Sequence, residues 1–215
     1  MSQVGEENIG KFSSSSSPGF CEYNSSLFMK GFVLMYRLIA LAFLFLASHA
    51  SHAQPVEIQL DGEPFVQKFS LKAPHGDKLI EFVRSSENLE NWNKLIGFRY
   101  QQLPGAENDP LKVAVGMAAI LRARGMMSSV SKNEKTSEAM IDFITRGKSD
   151  FLEFNVFRYA RSKGGDAVIS LQLAYRFTDT TEQNVQHIIR LRNAWTKQAA
   201  EFDMKAIEDA LEKIN

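Results

Sequence analysis

The chain has 215 residues, 25 of them basic and 25 acidic, and one cysteine. Zero net charge excludes a broad electrostatic footprint for nucleic acid, and a single cysteine excludes an intrachain disulfide framework or a multi-cysteine zinc site. A hydrophobic fraction of 44% with 16 phenylalanines excludes a wholly disordered chain.

Residues 1–34 have no apolar periodicity and carry the run Ser13–Ser17 followed by Pro18-Gly19. Such a segment buries too little surface to offset its ordering entropy. It reads as a disordered or over-extended N-terminus, with Met1, Met29 and Met35 all open as the initiator. Residues 35–53 have the three parts of a signal peptide: Arg37 near the start, the apolar run Leu38–Ala47, and a small-residue end at Ser51 and Ala53. Cleavage after Ala53 leaves Gln54 first. The apolar run is shorter than the roughly 20 residues a membrane helix needs. The alternative, an uncleaved anchor reaching back to Gly31, buries Arg37 at a cost of roughly 2.5–3.5 kcal/mol. Residues 54–215 are then a single domain. The leader removes Cys21, three basic residues (Lys11, Lys30, Arg37) and three acidic ones (Glu6, Glu7, Glu22), so the mature domain is cysteine-free and still neutral.

Val56–Leu60 alternates apolar and polar residues, meets Asp61-Gly62, and is followed by Phe65–Leu71, a hairpin pattern. Ala73–Asp77 reads as a loop and Lys78–Val83 as a strand. Ser85, Ser86 and Asn88 can cap a helix through about Ile96, with Leu89, Trp92 and Ile96 on one face and Gly97 ending it. Phe98–Gln102 is a candidate strand, and residues 103–108 form a loop. Asp109-Pro110 starts a helix with a buried stripe of Leu111, Ala114, Val115, Ala118 and Leu121, ended by Gly125. Ser128–Ser137 reads as a polar connection. Ala139–Arg146, apolar on both faces, reads as a central strand.

Phe151–Arg161 and Asp166–Phe177 alternate in matching phase. A four-residue loop pairs Arg161 with Asp166, sets Phe154 opposite Leu173 and Val156 opposite Leu171, and keeps each face uniform. Thr180–Gln183 is a capping-box pattern. The stripe behind it runs Val185, Ile188, Leu191, Trp195, Ala199 and Phe202, then Ala206, Ala210 and Ile214, with a break expected near Asp203. Strands segregated from helices predict an α+β fold: an antiparallel sheet with helices packed mainly on one face, including C-terminal helices.

The chemistry is sparse. His75 lies in a Pro-His-Gly turn and His187 on a helix flank, and no nucleophile elbow, phosphate loop or paired-histidine motif is present. No catalytic residue, metal site or cofactor is assigned. Glu81, Asp142 and Glu153 sit within predicted strands. Convergence of such carboxylates in one pocket, with a raised pKa, would allow acid/base hydrolysis. The predicted register puts Glu153, Asn155, Phe157, Tyr159, Gln172 and Arg176 on one polar sheet face. That face is either the wet side of the sheet or a shallow ligand or partner surface, with Phe157 and Tyr159 as its exposed aromatic patch. Arg190, Arg192 and Lys197 read as a solvated helix face, and Trp92 and Trp195 as core.

Glu87–Trp92 (ENLENW), Pro104–Pro110 (PGAENDP) and the hairpin with Glu153-Phe-Asn155 and Gly164-Gly165 together resemble an uncharacterised family of exported Gram-negative bacterial proteins, over roughly Gln54 to Trp195. The general pattern is similar to PsbP-like α+β domains, which serve as accessory or binding modules. The resemblance implies a fold and transfers no catalytic residue.

The expectation is an exported periplasmic or secreted binding or assembly-accessory protein. Its partner is an unidentified protein or small molecule, not nucleic acid, and it meets the membrane only if the N-terminal segment stays uncleaved. The alternatives are an exported carboxylate-dependent hydrolase and a membrane-anchored envelope protein.

Overall fold

Alternating apolar residues need a partner surface for each buried face, and here one sheet supplies it. The computed structural model describes residues 57–146, 151–178 and 180–214, all within one compact unit. The leader, the signal segment and its cleavage point lie outside the described residues. The strands are β1 (Glu57–Leu60), β2 (Glu63–Lys72), β3 (Lys78–Arg84), β4 (Lys94–Gln101), β5 (Ser128–Lys132), β6 (Ala139–Arg146), β7 (Leu152–Arg161) and β8 (Val168–Phe177). The helices are α1 (Pro110–Ala123), α2 (Glu182–Glu201) and α3 (Met204–Glu212).

The fold is α+β and dominated by its sheet, whose eight strands run in the order β1-β2-β3-β4-β8-β7-β6-β5 with every described pairing antiparallel. Two four-stranded meanders therefore join along β4 and β8, and the chain reaches the far edge, β5, through α1. On one face Phe82, Ile96, Leu173 and Val156 form a cross-strand row. They share the largest core cluster with Ile188, Leu191 and Trp195 of α2 and with Ile207 and Leu211 of α3. The opposite face carries Ala139, Ile141, Phe143 and Tyr159, packed with Ala114, Ala118 and Leu121 of α1. The sheet is thus covered from both sides, with two helices on one face and one on the other.

Local chemistry explains the boundaries. Asp61 and Gly62 both have positive φ, 54° and 74°, as a two-residue hairpin turn requires. The Asp61 carboxylate accepts hydrogen bonds from Trp195 Nε1 (3.0 Å), Gln198 Nε2 (2.9 Å) and Lys94 Nζ (3.0 Å), which ties the turn to α2. Burial pushes its pKa up, but these bonds outweigh that and hold it below the usual value. Asp109 caps α1, accepting from Leu111 N and Lys112 N, and Thr181 caps α2 through Asn184 N. The expected break comes at Asp203, which caps α3.

Several expectations change. The helix predicted over 85–96 is absent. The Asn88 side chain accepts from Glu90 N and Asn91 N, closing a local turn instead. Ile96 and Gly97 then lie inside β4, whose pairing on both sides outweighs the helical spacing. Ser128–Lys132 is an edge strand rather than loop, which leaves β6 one position from the edge instead of central. The β7–β8 register is two residues from the predicted one: Arg161 pairs with Val168, Phe154 with Tyr175 and Val156 with Leu173. A shift of two preserves both faces. It arises because the loop spans residues 162–167. Ser162 Oγ accepts from Ala167 N and donates to Asp166 Oδ1, and Gly165 supplies a φ of +75°. Val115 and Val185 are 51% and 40% exposed rather than buried. On α3 the fully buried positions are Met204, Ile207 and Leu211; of the expected stripe Ala210, and Ile214 beyond the helix end, pack partly buried against the same core, while Ala206 is exposed.

Candidate functional site

Two places on the sheet gather polar side chains. The first is the face opposite α2 and α3. The six residues singled out there, Glu153, Asn155, Phe157, Tyr159, Gln172 and Arg176, do share it. Arg176 Nε donates to Glu153 Oε1 at 2.9 Å, and Gln172 Nε2 donates to Asn155 Oδ1 at 2.8 Å. Phe157 stacks between Phe143 and Tyr159, with ring centroids 5.9 and 5.7 Å away.

An open surface is nonetheless the wrong description. Asn155 and Tyr159 are each only 3% exposed, because Tyr159 packs in the cluster under α1. At the other end Trp92, with Leu89, covers Val83, Leu95 and Ala174. The Arg176 guanidinium lies 3.6 Å from the Trp92 ring centroid, a cation–π stack that shields it further. The expected exposed aromatic patch is therefore internal packing. Between the two covers Gly97 permits a close approach: a Cβ there would stand 3.1 Å from both Arg99 Nη1 and Gln172 Oε1.

The three strand carboxylates do not converge. Glu153 is paired to Arg176. Asp142 points to the other face, where Arg192 of α2 holds it at 2.7 and 3.0 Å. Glu81 lies on the polar face, 3.9 Å from Arg99. Burial pushes its pKa up, opposed by the charges of Arg99 and Arg176. Arg192, expected as a purely solvated residue, thus ties α2 to β6. His75 pairs with Asp77 at 3.0 Å in its exposed turn, and His187 lies against the Tyr175 ring. Among the described residues no group of three or more His, Cys, Asp or Glu is placed to hold a metal ion, and no helix is long and apolar enough to cross a membrane.

The second place is a groove of about 620 Å³ at the end of the sheet, on the α3 side. Its lining comes from the β2–β3 turn, the end of β4, the β7–β8 loop and α3. Tyr100 stands in it and donates its hydroxyl to Asp166 Oδ2 at 2.9 Å. Asp166 also accepts from Ser162 Oγ at 2.9 Å. The bonds from Tyr100 and Ser162 hold the Asp166 carboxyl below its usual pKa. Burial and the neighbouring carboxylate push the Tyr100 phenol up to about 12, so it remains a neutral donor to Asp166 with its oxygen still able to accept. Lys163 N donates to Glu208 Oε1 at 2.9 Å, joining the loop to α3. Lys72, Lys78, Lys163 and Glu212 complete the charged lining.

The sequence reading did not single out this groove. A signal was present in the two lysines that bracket the Ala73–Asp77 loop, but nothing local shows that the β7–β8 loop and α3 close over them.

No curated protein and no solved structure matches the chain. One family model does, over residues 52–204, a span that holds the whole sheet, α1 and α2. On that match the chain belongs to an uncharacterised protein family.

Proposed function

We propose that this protein is an exported, non-catalytic binding module that takes its ligand in the groove between the end of the sheet and α3. The observation that carries the reading is the groove's construction. Four separate segments meet there around a phenol held by a committed carboxylate, in a volume of about 620 Å³. The volume falls within the about 300–1,000 Å³ of small-molecule sites, and the lining is more polar than usual for them, with Leu211 the one aliphatic side chain among its described residues. The reading is non-catalytic because no histidine, cysteine or nucleophile–base pair lines the groove among the described residues, and Asp166 is tied to Tyr100 and Ser162 as part of its frame.

Export rests on the signal pattern at residues 35–53. Cleavage after Ala53 falls upstream of Glu57, the first residue of β1, so it would remove no described strand. Periplasmic placement in a Gram-negative cell, and kinship with PsbP-like accessory domains, belong to the same proposal.

Two measurements test it. Intact mass of the protein recovered from its host should correspond to a chain beginning at Gln54; a mass retaining residues 31–53 favours the anchored alternative. Amide spectra recorded against small-molecule mixtures should show perturbations clustered at Gly76, Tyr100 and Gly164. Perturbations confined to other regions of the protein would refute the groove as the site.

A further inference from the structure

Two like-charge pairs border the groove, one from the sheet and one from α3. Lys72 ends β2 and Lys78 begins β3, and the two are direct partners in the ladder, where like charges repel. Glu208 and Glu212 stand four residues apart on α3. They are therefore neighbours on the helix surface, again a repulsive arrangement. Both lie in the C-terminal half of α3, where the negative end of the helix dipole disfavours a carboxylate, and the last turn holds no basic residue.

The two pairs could cancel by bonding to each other, and they do not. Among the described residues no ion pair joins Lys72, Lys78 or Lys163 to Asp166, Glu208 or Glu212. Lys78 Nζ donates instead to the Leu211 carbonyl at 3.0 Å. Glu208 Oε1 accepts the Lys163 N–H, while Glu208 Oε2 and both oxygens of Glu212 accept nothing from the described residues. Asp166 differs, being held by Tyr100 and Ser162. Attraction across the water of an open groove is weak at longer range. Local conflicts that a fold leaves unresolved are expected where function uses them.

From these two unresolved pairs on one groove we infer that it binds a small zwitterion of the amino-acid class. The ligand's carboxylate meets Lys72 and Lys78, and its ammonium meets Glu208 Oε2 and Glu212. A purely anionic ligand would relieve the lysines and be repelled by the glutamates, and a purely cationic one the reverse. The described lining carries three ammoniums and three carboxylates, which matches a ligand of zero net charge. The charge of Glu208 is among the influences that raise the Tyr100 phenol, so the ammonium half of the site lies near the phenol oxygen, a further acceptor. This inference rests on the groove being the binding site and adds the ligand's chemistry.

The test uses the purified full chain, with amide spectra at constant ionic strength balanced by sodium chloride. Glycine, 4-aminobutyrate and 6-aminohexanoate are zwitterionic probes of rising charge separation. Hexanoate carries only the anion, hexylamine only the cation, and trehalose neither. At least one zwitterion should shift Gly76, Tyr100 and Gly164 and bind about tenfold more tightly than hexanoate and hexylamine, as a second charged contact implies. Lys72→Ala and Glu212→Gln, both at exposed positions, should each remove that advantage, and Lys135→Ala, outside the groove, should change nothing. Hexanoate or hexylamine binding as tightly as every zwitterion, or trehalose binding alone, would overturn the charge assignment and leave the groove as a binding site. Silence from all the probes at those amides would overturn the assignment and count against the groove itself. Zwitterion binding that survives both substitutions would show that the two pairs do not form the site.

Discussion

Arg158 offers the sharpest test of how the two C-terminal helices are held. It lies on β7, is 9% exposed, and spends its guanidinium on four acceptors. Nε and Nη2 reach Glu138 Oε2 at 3.1 and 2.7 Å. Nη1 donates to the carbonyls of Ala199, Ala200 and Phe202 at 2.8, 3.0 and 2.7 Å. Those carbonyls sit at the end of α2, which has no intrahelical donors left for them. One buried side chain therefore caps α2 and fixes the bend into α3. Arg158→Ala leaves the Glu138 carboxylate, 16% exposed, without its cation, and leaves the buried Ala199 carbonyl without that donor. Breaking a buried pair from one side costs about 3–5 kcal/mol. In a domain of this size each kcal/mol lowers Tm by about 2–4 °C, so a fall of about 6–20 °C is expected. Arg158→Lys should recover little, because one ammonium cannot serve the carboxylate and three carbonyls together. Thermal unfolding gives the total effect, and a double-mutant cycle with Glu138→Ala isolates the pair, for which a coupling above about 1 kcal/mol is expected. Hydrogen exchange at Lys205 and Ala206, whose amides bond to the Asp203 cap, reports the bend. A Tm loss under about 3 °C, or additive single substitutions, would refute the capping role.

Three further outcomes follow from the ionisable groups. Asp61 and Glu87 both have depressed pKa values: burial raises each, but hydrogen bonds from Trp195, Gln198 and Lys94 in one case, and from Arg84 and Asn93 in the other, prevail. Their stabilisation is present above the unfolded values near pH 4 and is lost as pH falls through the lower folded values. Asp61→Asn should thus lower Tm by about 5 °C at pH 7, since hydrogen bonds to charged groups are worth about 1.5–3 kcal/mol, with a much smaller difference at pH 2.5; equal losses at both pH values would contradict the linkage. Glu81 has the opposite sign: burial raises its pKa, so its favourable contribution is complete below the unfolded value and is lost as pH rises through the folded one. Glu81→Gln should accordingly raise Tm at pH 7 and leave it unchanged below pH 4, and a lowered Tm at pH 7 would show that its attraction to Arg99 dominates. Tyrosinate absorbance should reveal one tyrosine titrating near pH 12, and Asp166→Asn should bring it back toward 10; an unchanged titration would mean that burial alone raises Tyr100.

The strands were the legible part of the fold, because their signal is local. Asp61-Gly62 dictates its turn through backbone conformation, and the alternation of β7 and β8 dictates which residues share a face. What alternation cannot supply is which multiple of two the register takes, and there the side chain of Ser162 decides by holding a six-residue loop. The stretch 85–96 misled for a related reason. Its apolar spacing suits a helix, but the same Leu95 and Ile96 pair between β3 and β8, and no local signal reports those partners. The polar face was read correctly as a set of residues and incorrectly as a surface. Tyr159 and Asn155 are covered by elements more than 30 residues away in sequence: α1 and the Trp92 segment. The groove was illegible for the same reason, since its walls come from four segments spread from Lys72 to Glu212.

The contrast between the two polar regions argues for the groove over the sheet face. On the sheet face the long side chains stabilise one another: Arg176 lies between Glu153 and the Trp92 ring, Asn155 receives Gln172, and Arg99 lies over Phe157 with its charge toward Glu81. A ligand arriving there would have to displace Trp92 or α1 and break the bonds these side chains make to one another, although Ser170 Oγ and Gln172 Oε1 are buried on that face without a hydrogen-bond partner. At the groove the internal bonds serve to fix the frame. Asp166 holds Tyr100, Glu208 holds the β7–β8 loop, and Lys78 closes the end of α3. A fixed frame around a formed concavity is the condition under which binding loses least to ordering entropy, and the groove has such a frame in the Tyr100–Asp166 and Lys163–Glu208 bonds.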